Sequence, residues 1–140
     1  MILFLDFDGV LHPLNRTDGA LSRIPHFENA LRKFIDVDIV ISSAWREEYS
    51  LNELRGFFSD GIKQRIIDVT PVLNSLGNRY LRQAEIDLWL RDAGREYEAW
   101  IALDDSEWLF PPACRNLILV DPALGFDKAV EDALHRNLTR

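Results

Sequence analysis

The chain has little cysteine and no excess of positive charge. Its 140 residues include one cysteine, Cys114, so it lacks a disulfide framework and a cysteine-ligated metal cluster, as is typical of a reducing environment. The formal net charge of −7 disfavours a protein whose whole surface binds nucleic acid. Its apolar runs are too short to span a membrane, and no basic region of a signal peptide precedes the first of them. We therefore predict a cytoplasmic protein with no membrane partner.

What remains is the composition of an ordinary globular domain. Hydrophobic residues make up 47% of the chain and charged residues 28%, and this length is sufficient for a single core. No internal repeat or low-complexity linker divides the chain. We predict a single domain over residues 1–140. A short flap is expected at about 9–25, where Gly9, Pro13, Gly19 and Pro25 indicate turns.

Short apolar runs alternate with helical patterns along the chain. The runs predict strands at residues 2–6, 37–41, 66–69, 99–103 and 117–120. The helical patterns cover residues 27–35, 45–58, 80–93 and 127–138. Because strands that alternate with helices form parallel sheets, we predict an α/β fold with a doubly wound parallel sheet and helices on both faces.

Three of the predicted strands end in polar side chains. Asp6 and Asp8 follow the first strand, Ser42 follows the second, and Asp104 with Asp105 follows a third. Ligands of open α/β sheets bind at the carboxyl ends of the strands, so we expect these groups to converge. Carboxylates crowded at a buried strand end repel one another, and a bound divalent cation usually offsets this repulsion. Mg²⁺ suits such an all-oxygen site.

These residue types together fit phosphoryl chemistry. One carboxylate can attack a phosphorus atom, and a second can protonate the leaving oxygen and then activate water. A hydroxyl and a cation can hold the phosphoryl oxygens. A basic residue is also required to balance the phosphate charge, and the candidates are Arg79, Arg82 and Lys63.

The polar strand ends carry a resemblance to a known family. Residues 6–11 (Asp-Phe-Asp-Gly-Val-Leu) resemble the first motif of the haloacid dehalogenase-like (HAD) superfamily, and residues 39–42 (Ile-Val-Ile-Ser) resemble its second. Arg82, near the start of a helix, resembles the third motif. Residues 101–105 (Ile-Ala-Leu-Asp-Asp) resemble the fourth, and the order is correct. The resemblance implies a HAD-like Rossmannoid fold.

A narrower resemblance rests on two segments. Residues 41–46 (Ile-Ser-Ser-Ala-Trp-Arg) and residues 102–105 (Ala-Leu-Asp-Asp) are similar to the small HAD domains associated with bacterial RNA-repair proteins. No full cap domain fits between the motifs, because only 33 residues separate Asp8 from Ser42 and 39 separate Ser42 from Arg82.

The superfamily resemblance implies catalytic roles. Asp6 would be the nucleophile and a Mg²⁺ ligand. Asp8 would be the general acid and base, with its backbone carbonyl also on Mg²⁺. Ser42 would hydrogen-bond the phosphoryl group, although the cap of the next helix is an alternative role for it. Arg82 would pair with phosphate, although a solvated helix position is the alternative.

Further residues complete the expected site. The resemblance implies a metal ligand in the fourth motif, where Asp105 is the preferred direct ligand and Asp104 would support it or bind through water. Arg46, Arg79 and Trp45 are candidate substrate contacts, although Arg46 also fits a surface helix position and Trp45 fits the core.

These expectations lead to a functional hypothesis with alternatives. We predict a Mg²⁺-dependent phosphoric monoester hydrolase that works through an aspartyl-phosphate. Its uncapped site favours a large phosphorylated substrate, such as a nucleic-acid end or a phosphoprotein. A small phosphomonoester is the alternative substrate if residues 12–25 or another subunit cover the site. The residues that flank this segment and could contact substrate are His12, Arg16, Arg23 and His26. A non-catalytic phosphate- or metal-binding regulatory module and a receiver-type phosphoacceptor domain are the other classes. The oligomeric state is not indicated.

Overall fold

A computed structural model describes residues 1–139, and a five-stranded parallel sheet forms its centre. The strands are β1 (Ile2–Leu5), β2 (Asp38–Ile41), β3 (Ile66–Val69), β4 (Trp100–Asp104) and β5 (Leu117–Leu119). Their order across the sheet is β3-β2-β1-β4-β5, and every neighbouring pair is parallel. The predicted α/β fold with a doubly wound parallel sheet is thus confirmed. The chain reverses its winding direction at β1, which is the switch point where such sheets bind ligands.

Helices connect the strands on both faces of the sheet. The α-helices are α1 (Ile24–Leu31), α2 (Leu51–Arg55), α3 (Asp60–Lys63), α4 (Leu81–Asp92) and α5 (Lys128–Leu138). Two short 3₁₀ turns cover Ala44–Glu47 and Glu107–Leu109. Among the described residues, none of the helices combines the length and the apolar character that a membrane span requires.

Two helix predictions were wrong in their bounds. The predicted helix over 45–58 is broken, because Ser50 adopts extended backbone and caps α2 through a reciprocal capping box with Glu53. The helix expected at 27–35 instead begins at Ile24, with Pro25 in its first turn, where its missing N–H costs nothing. Ile35 lies beyond the end of α1 and is 77% exposed.

The sheet divides the apolar core into two layers. Because side chains alternate along a strand, Leu3 and Leu5 of β1 pack with α1, α2, α3 and α5, whereas Ile2 and Phe4 pack with α4 on the other face. β2 and β4 alternate in the same way. This alternation decides which face each polar residue at the strand ends occupies.

The predicted flap is a run of turns at the carboxyl edge of the sheet. The backbone amide of Arg23 donates to Leu11 at 2.8 Å, that of Leu14 to Pro122 at 2.9 Å, and that of Phe126 to Val10 at 2.7 Å. These bonds join the flap to itself and to the loop after β5. They hold residues 9–23 beside the ends of β1 and β5.

Candidate active site

The strand register brings three polar residues side by side. Leu5 pairs with Ile41 of β2 and with Leu103 of β4. The next residue of each strand, Asp6, Ser42 and Asp104, therefore lies at the same level of the carboxyl edge. By alternation, all three side chains continue the face that packs against α4, and Arg82 lies in the first turn of that helix.

Three carboxylates form an acidic cluster at this edge. Asp6, Asp104 and Asp105 each place one oxygen so that the three atoms lie within 4.8 Å of one another. Asp6 is 5% exposed and Asp104 is fully buried. Hard oxygen donors at this spacing fit Mg²⁺, which binds carboxylates in octahedral sites.

The cluster is electrostatically unbalanced. Burial, followed by the charge of Asp104, raises the pKa of Asp6 well above its ordinary value, and the attraction of Arg82 does not offset this. Burial also raises the pKa of Asp104. The pKa of Arg82 is raised because the charges of Asp104 and Asp6 outweigh its own desolvation. Without a further cation, the site favours protonated carboxyl groups.

This imbalance predicts an unusual pH dependence of stability. A carboxyl group whose pKa is raised in the folded state stabilises the fold when protonated, and that stability is lost as the pH rises through the folded pKa. We therefore expect the thermal midpoint in EDTA to fall across the window that runs from the ordinary aspartate pKa of about 4 up to the raised pKa of the folded state, with each group contributing at most about 1.4 kcal/mol per pH unit. Mg²⁺ should restore stability at the alkaline end. Thermal unfolding monitored by circular dichroism measures both effects.

The Asp6→Asn variant is the control for this prediction. It removes one of the two titrating groups and should flatten the pH dependence in EDTA. Exposed carboxylates with lowered pKa, such as Asp132 beside Lys128, act with the opposite sign and only at lower pH. A wild-type midpoint that stays constant or rises across the window would contradict the prediction.

One of the three basic candidates enters the site. Arg82 Nη1 lies 2.5 Å from Asp104 Oδ2 and 3.6 Å from Asp6 Oδ1, and its side chain is 12% exposed. Lys63 pairs instead with Asp60 on α3 at 3.1 Å. Arg79 is exposed, with its guanidinium 5.4 Å from the ring centroid of Tyr80. Of these three candidates, Arg82 is therefore the one that lies among the carboxylates at the strand ends.

The hydroxyl of Ser42 is buried without a hydrogen-bond partner among the described residues. Most buried polar atoms are bonded, so an orphan hydroxyl at this edge requires an explanation. The alternative role as a helix cap is taken by Ser43, whose side chain accepts from the Trp45 amide. Ser42 is thus free to donate to a ligand.

Asp8 is held by three donors. His12 Nε2 contacts Asp8 Oδ1 at 2.8 Å, Trp45 Nε1 donates to Oδ2 at 3.1 Å, and Arg16 donates to Oδ1 at 3.2 Å. The Asp8 side chain nevertheless stays 43% exposed. The sequence indicated His12 and Arg16 as residues of the flap that could contact substrate, and Trp45 as a substrate contact or a core residue. Their convergence on Asp8 depends on the folded flap, which supplies His12 and Arg16, and on the 3₁₀ turn after β2, which supplies Trp45.

A cleft opens beside Asp8. Its volume is about 340 Å³, and it is lined by Asp8, Arg16, Ala44, Trp45, Glu48 and Tyr49. The rings of Trp45 and Tyr49 are stacked with centroids 5.5 Å apart, and the Arg16 guanidinium lies 5.7 Å from the Trp45 ring. The cleft therefore offers aromatic and cationic surface next to the carboxylate that would meet a leaving group.

Arg46 has a structural position instead of an exposed one. Its side chain is 3% exposed and pairs with the buried carboxylate of Glu85 at 2.8 Å. It also donates to four backbone carbonyls, which belong to Ser42, Ser43, Thr70 and Pro71. The geometry does not support a substrate contact, and the surface helix position expected as its alternative is wrong. Arg46 fastens the ends of β2 and β3 to each other.

Gly9 makes the turn after the first motif possible. Its φ is +76°, and an added Cβ would lie 2.2 Å from Asp105 Oδ2. We predict that Gly9→Ala displaces Asp105 from the cluster and weakens Mg²⁺ binding by about ten- to a hundredfold, the range found when groups that orient metal ligands are lost. Calorimetric titration with Mg²⁺ measures this change.

Gly77 supplies a matched control for that substitution. Its φ is also +76°, and an added Cβ would meet nothing within 4 Å. Gly77→Ala should therefore carry the same left-handed backbone cost of about 1–2 kcal/mol without affecting Mg²⁺. Equal Mg²⁺ affinity in the two variants would mean that Gly9 does not act through Asp105.

The fold and the edge cluster define the class of the protein. The HAD arrangement anticipated from the motifs is a parallel sheet with an aspartate pair after β1, a serine after β2, a basic residue on α4 and an aspartate pair at the end of β4, and the structure has each of these. The model of a family described as the HAD domain in Swiss Army Knife RNA repair proteins matches residues 2–130. The chain belongs to this family. Neither a curated protein nor a solved structure matches it significantly.

Proposed function

We propose that the protein is a Mg²⁺-dependent phosphatase that hydrolyses a phosphomonoester through an aspartyl-phosphate on Asp6. Membership of a HAD family supports a hydrolase of the phosphatase type. The observation that carries the finer proposal is the meeting of the cluster formed by Asp6, Asp104 and Asp105 with the unpartnered hydroxyl of Ser42 at one edge of the sheet.

The donor set supports Mg²⁺ as the cofactor. Asp104 already uses both oxygens, since Oδ2 accepts from Arg82 and Oδ1 from the Ser106 amide. Asp105 accepts from the Ser106 hydroxyl through Oδ1, while its Oδ2 lies beside Gly9. We therefore assign Asp105 and Asp6 as direct ligands, with the Asp8 carbonyl as a further one and Asp104 in support. When bound, Mg²⁺ supplies positive charge for the phosphoryl oxygens and the crowded carboxylates.

Two displacements at phosphorus complete the reaction. A carboxylate oxygen of Asp6 forms a bond to phosphorus while the ester P–O bond breaks, and protonated Asp8 gives its proton to the leaving oxygen. Asp8, now ionised, then takes a proton from water as the water oxygen attacks phosphorus and the bond to Asp6 breaks. Ser42 and Arg82 hold the non-bridging oxygens throughout. The products are the free alcohol and inorganic phosphate.

The surroundings of the site favour a large substrate. The segments between the motifs form the flap, short helices and loops of the same domain, so no separate cap covers the edge. The family description refers to RNA repair proteins, which favours a phosphorylated nucleic-acid end over a phosphoprotein. The cleft beside Asp8, with Trp45, Tyr49 and Arg16, offers surface for such a leaving group.

A substrate panel tests the proposal. Phosphate release is measured with Mg²⁺ or EDTA from p-nitrophenyl phosphate, sugar phosphates, nucleotides, phosphopeptides, and oligonucleotides phosphorylated at the 3′ or the 5′ end. We expect release only with Mg²⁺ and the highest kcat/KM on an oligonucleotide end. Mg²⁺ binding without release from any substrate would favour the alternative, a phosphate- or metal-binding regulatory module. Preference for a small metabolite would overturn the substrate assignment alone.

A further inference from the structure

His12 is buried between the flap and Asp8. Its side chain is fully buried, and its two ring nitrogens have different partners. The backbone amide of Leu21 donates to Nδ1 at 2.9 Å, and Nε2 lies 2.8 Å from Asp8 Oδ1. A nitrogen that accepts from an amide carries no proton. His12 is therefore the neutral tautomer that carries its hydrogen on Nε2 and donates it to Asp8.

The flap backbone is strained where it makes these contacts. Arg16 and Leu21 have φ values of 51° and 58°, which are unfavourable for residues with a side chain. Leu21 supplies the amide that holds His12, and Arg16 supplies a further donor to Asp8. Strain of this kind persists where the surrounding structure requires it, often at functional sites.

Trp45 approaches Asp8 from the other side. Its Nε1 donates to Oδ2, the oxygen that His12 does not contact. The His12 and Trp45 rings also lie together, with centroids 5.9 Å apart. Two rigid aromatic donors thus hold both oxygens of the Asp8 carboxylate. Arg16, whose side chain is 48% exposed, is the less constrained third donor.

We propose that His12 is a positioning residue that orients the Asp8 carboxyl group for proton transfer to the leaving oxygen, with Trp45 as its counterpart. This inference rests on the proposed phosphatase function. It assigns the flap a role in the proton-transfer step, because Leu21 sets the tautomer through which His12 reaches Asp8. A general acid contributes about 10²–10⁴-fold, and only when its geometry is maintained.

A spectroscopic measurement tests the contact without any activity. Long-range ¹H–¹⁵N spectra of the imidazole rings distinguish the two neutral tautomers, and His12→Gln identifies the His12 signals among the three histidines. At about neutral pH we expect the His12 hydrogen on Nε2. A hydrogen on Nδ1, or on both nitrogens, would overturn the proposal.

Two substitutions separate the contacts of His12 in a kinetic test. The amide nitrogen of Gln mimics Nε2 and can still donate to Asp8, whereas the oxygen of Asn mimics Nδ1 and preserves only the bond from Leu21. We expect His12→Asn to lower kcat/KM for phenyl phosphate, a poor leaving group, by at least about tenfold. The loss with p-nitrophenyl phosphate, which needs little protonation, should be several-fold smaller. His12→Gln should retain most of the activity on both.

Trp45→Phe provides an independent variant if substitution of the buried His12 disturbs folding. It keeps a ring but removes the donor to Oδ2, so it should show the same dependence on the leaving group. Equal losses on both substrates, or equal activity of His12→Gln and His12→Asn, would show a purely structural role and overturn the proposal. An inactive wild type would refute the phosphatase function instead, while the tautomer spectrum would still report whether His12 donates to Asp8.

Discussion

Replacement of Asp6 by asparagine should abolish turnover while making the metal-free protein more stable. The amide keeps the size of the carboxyl group but is not the nucleophile that attacks phosphorus. Loss of the catalytic nucleophile lowers kcat by about 10⁶-fold in a serine protease, which also forms a covalent intermediate. We expect no phosphate release above the background from Asp6→Asn on the best substrate of the panel.

The gain in stability has a separate origin. Burial and the charge of Asp104 raise the pKa of Asp6, so its ionised form is unfavourable in the folded state at neutral pH. The amide removes this penalty, and the thermal midpoint in EDTA should therefore exceed that of the wild type near neutral pH. Towards lower pH, where wild-type Asp6 becomes protonated, the two midpoints should converge. Added Mg²⁺ should stabilise the wild type more than the variant.

Asp121→Asn is the matched control for this variant. Asp121 also follows a strand, β5, but it is exposed, and among the described residues its carboxylate accepts only from the Ala123 amide. It lies outside the acidic cluster, so its replacement should change neither turnover nor the response to Mg²⁺. Residual Mg²⁺-dependent turnover by Asp6→Asn near the wild-type rate would refute the aspartyl-phosphate mechanism.

The second large effect concerns the ion pair between Arg46 and Glu85. Both side chains are almost completely buried, at 3% and 4% exposure. Burial lowers the pKa of Arg46, and the charge of Glu85 counteracts this effect. Glu85→Ala would leave a buried guanidinium without its counter-charge, which costs about 3–5 kcal/mol in comparable buried pairs. Urea unfolding measures this loss of folding free energy.

The effect should reach beyond this one pair. Glu85 also accepts from the Leu73 amide at 2.9 Å and lies 3.9 Å from Arg82. The variant therefore loosens the loop after β3 and removes a neighbour of Arg82, the arginine proposed to bind phosphate. Replacing both members of the ion pair by apolar side chains, as in the double variant Arg46→Met with Glu85→Leu, should recover only part of the lost folding free energy. The four backbone carbonyls that Arg46 bonds would still lose their donor.

An exposed ion pair provides the comparison. Lys128 and Asp132 lie on the surface of α5 with their charged atoms 2.7 Å apart. Asp132→Ala should change the unfolding free energy little, because solvent screens exposed pairs. If Glu85→Ala proved as mild as Asp132→Ala, the pair with Arg46 would not be the fastening between β2 and β3 that its burial indicates.

The sequence predicted the strands of the sheet better than the segments that connect them. The strands were predictable because a buried parallel strand is largely apolar, and β1, β2 and β4 each have at least three consecutive apolar residues. The prediction of a continuous helix over 45–58 failed, because the apolar spacing continued across Ser50, whose cap begins a new helix. Such a break depends on one local hydrogen-bonded turn, which periodicity does not reveal.

In the site, too, one part could be predicted from the sequence and another part could not. By itself, the sequence determined that Asp6, Ser42 and Asp104 each follow an apolar strand, and parallel strands bring their carboxyl ends to one edge. That these three strands are neighbours was decided by the sheet order of the folded protein. Only the tertiary structure decided which arginine enters the site, since Arg79, Arg82 and Arg46 are all compatible with the pattern of charge. Long side chains reach partners distant in sequence, so packing against Asp104 or Glu85 determines their roles. The contact of His12 with Asp8 was likewise decided by the folded flap. It depends on the hydrogen bond from the Leu21 backbone amide to His12, and such a bond leaves no pattern in the sequence.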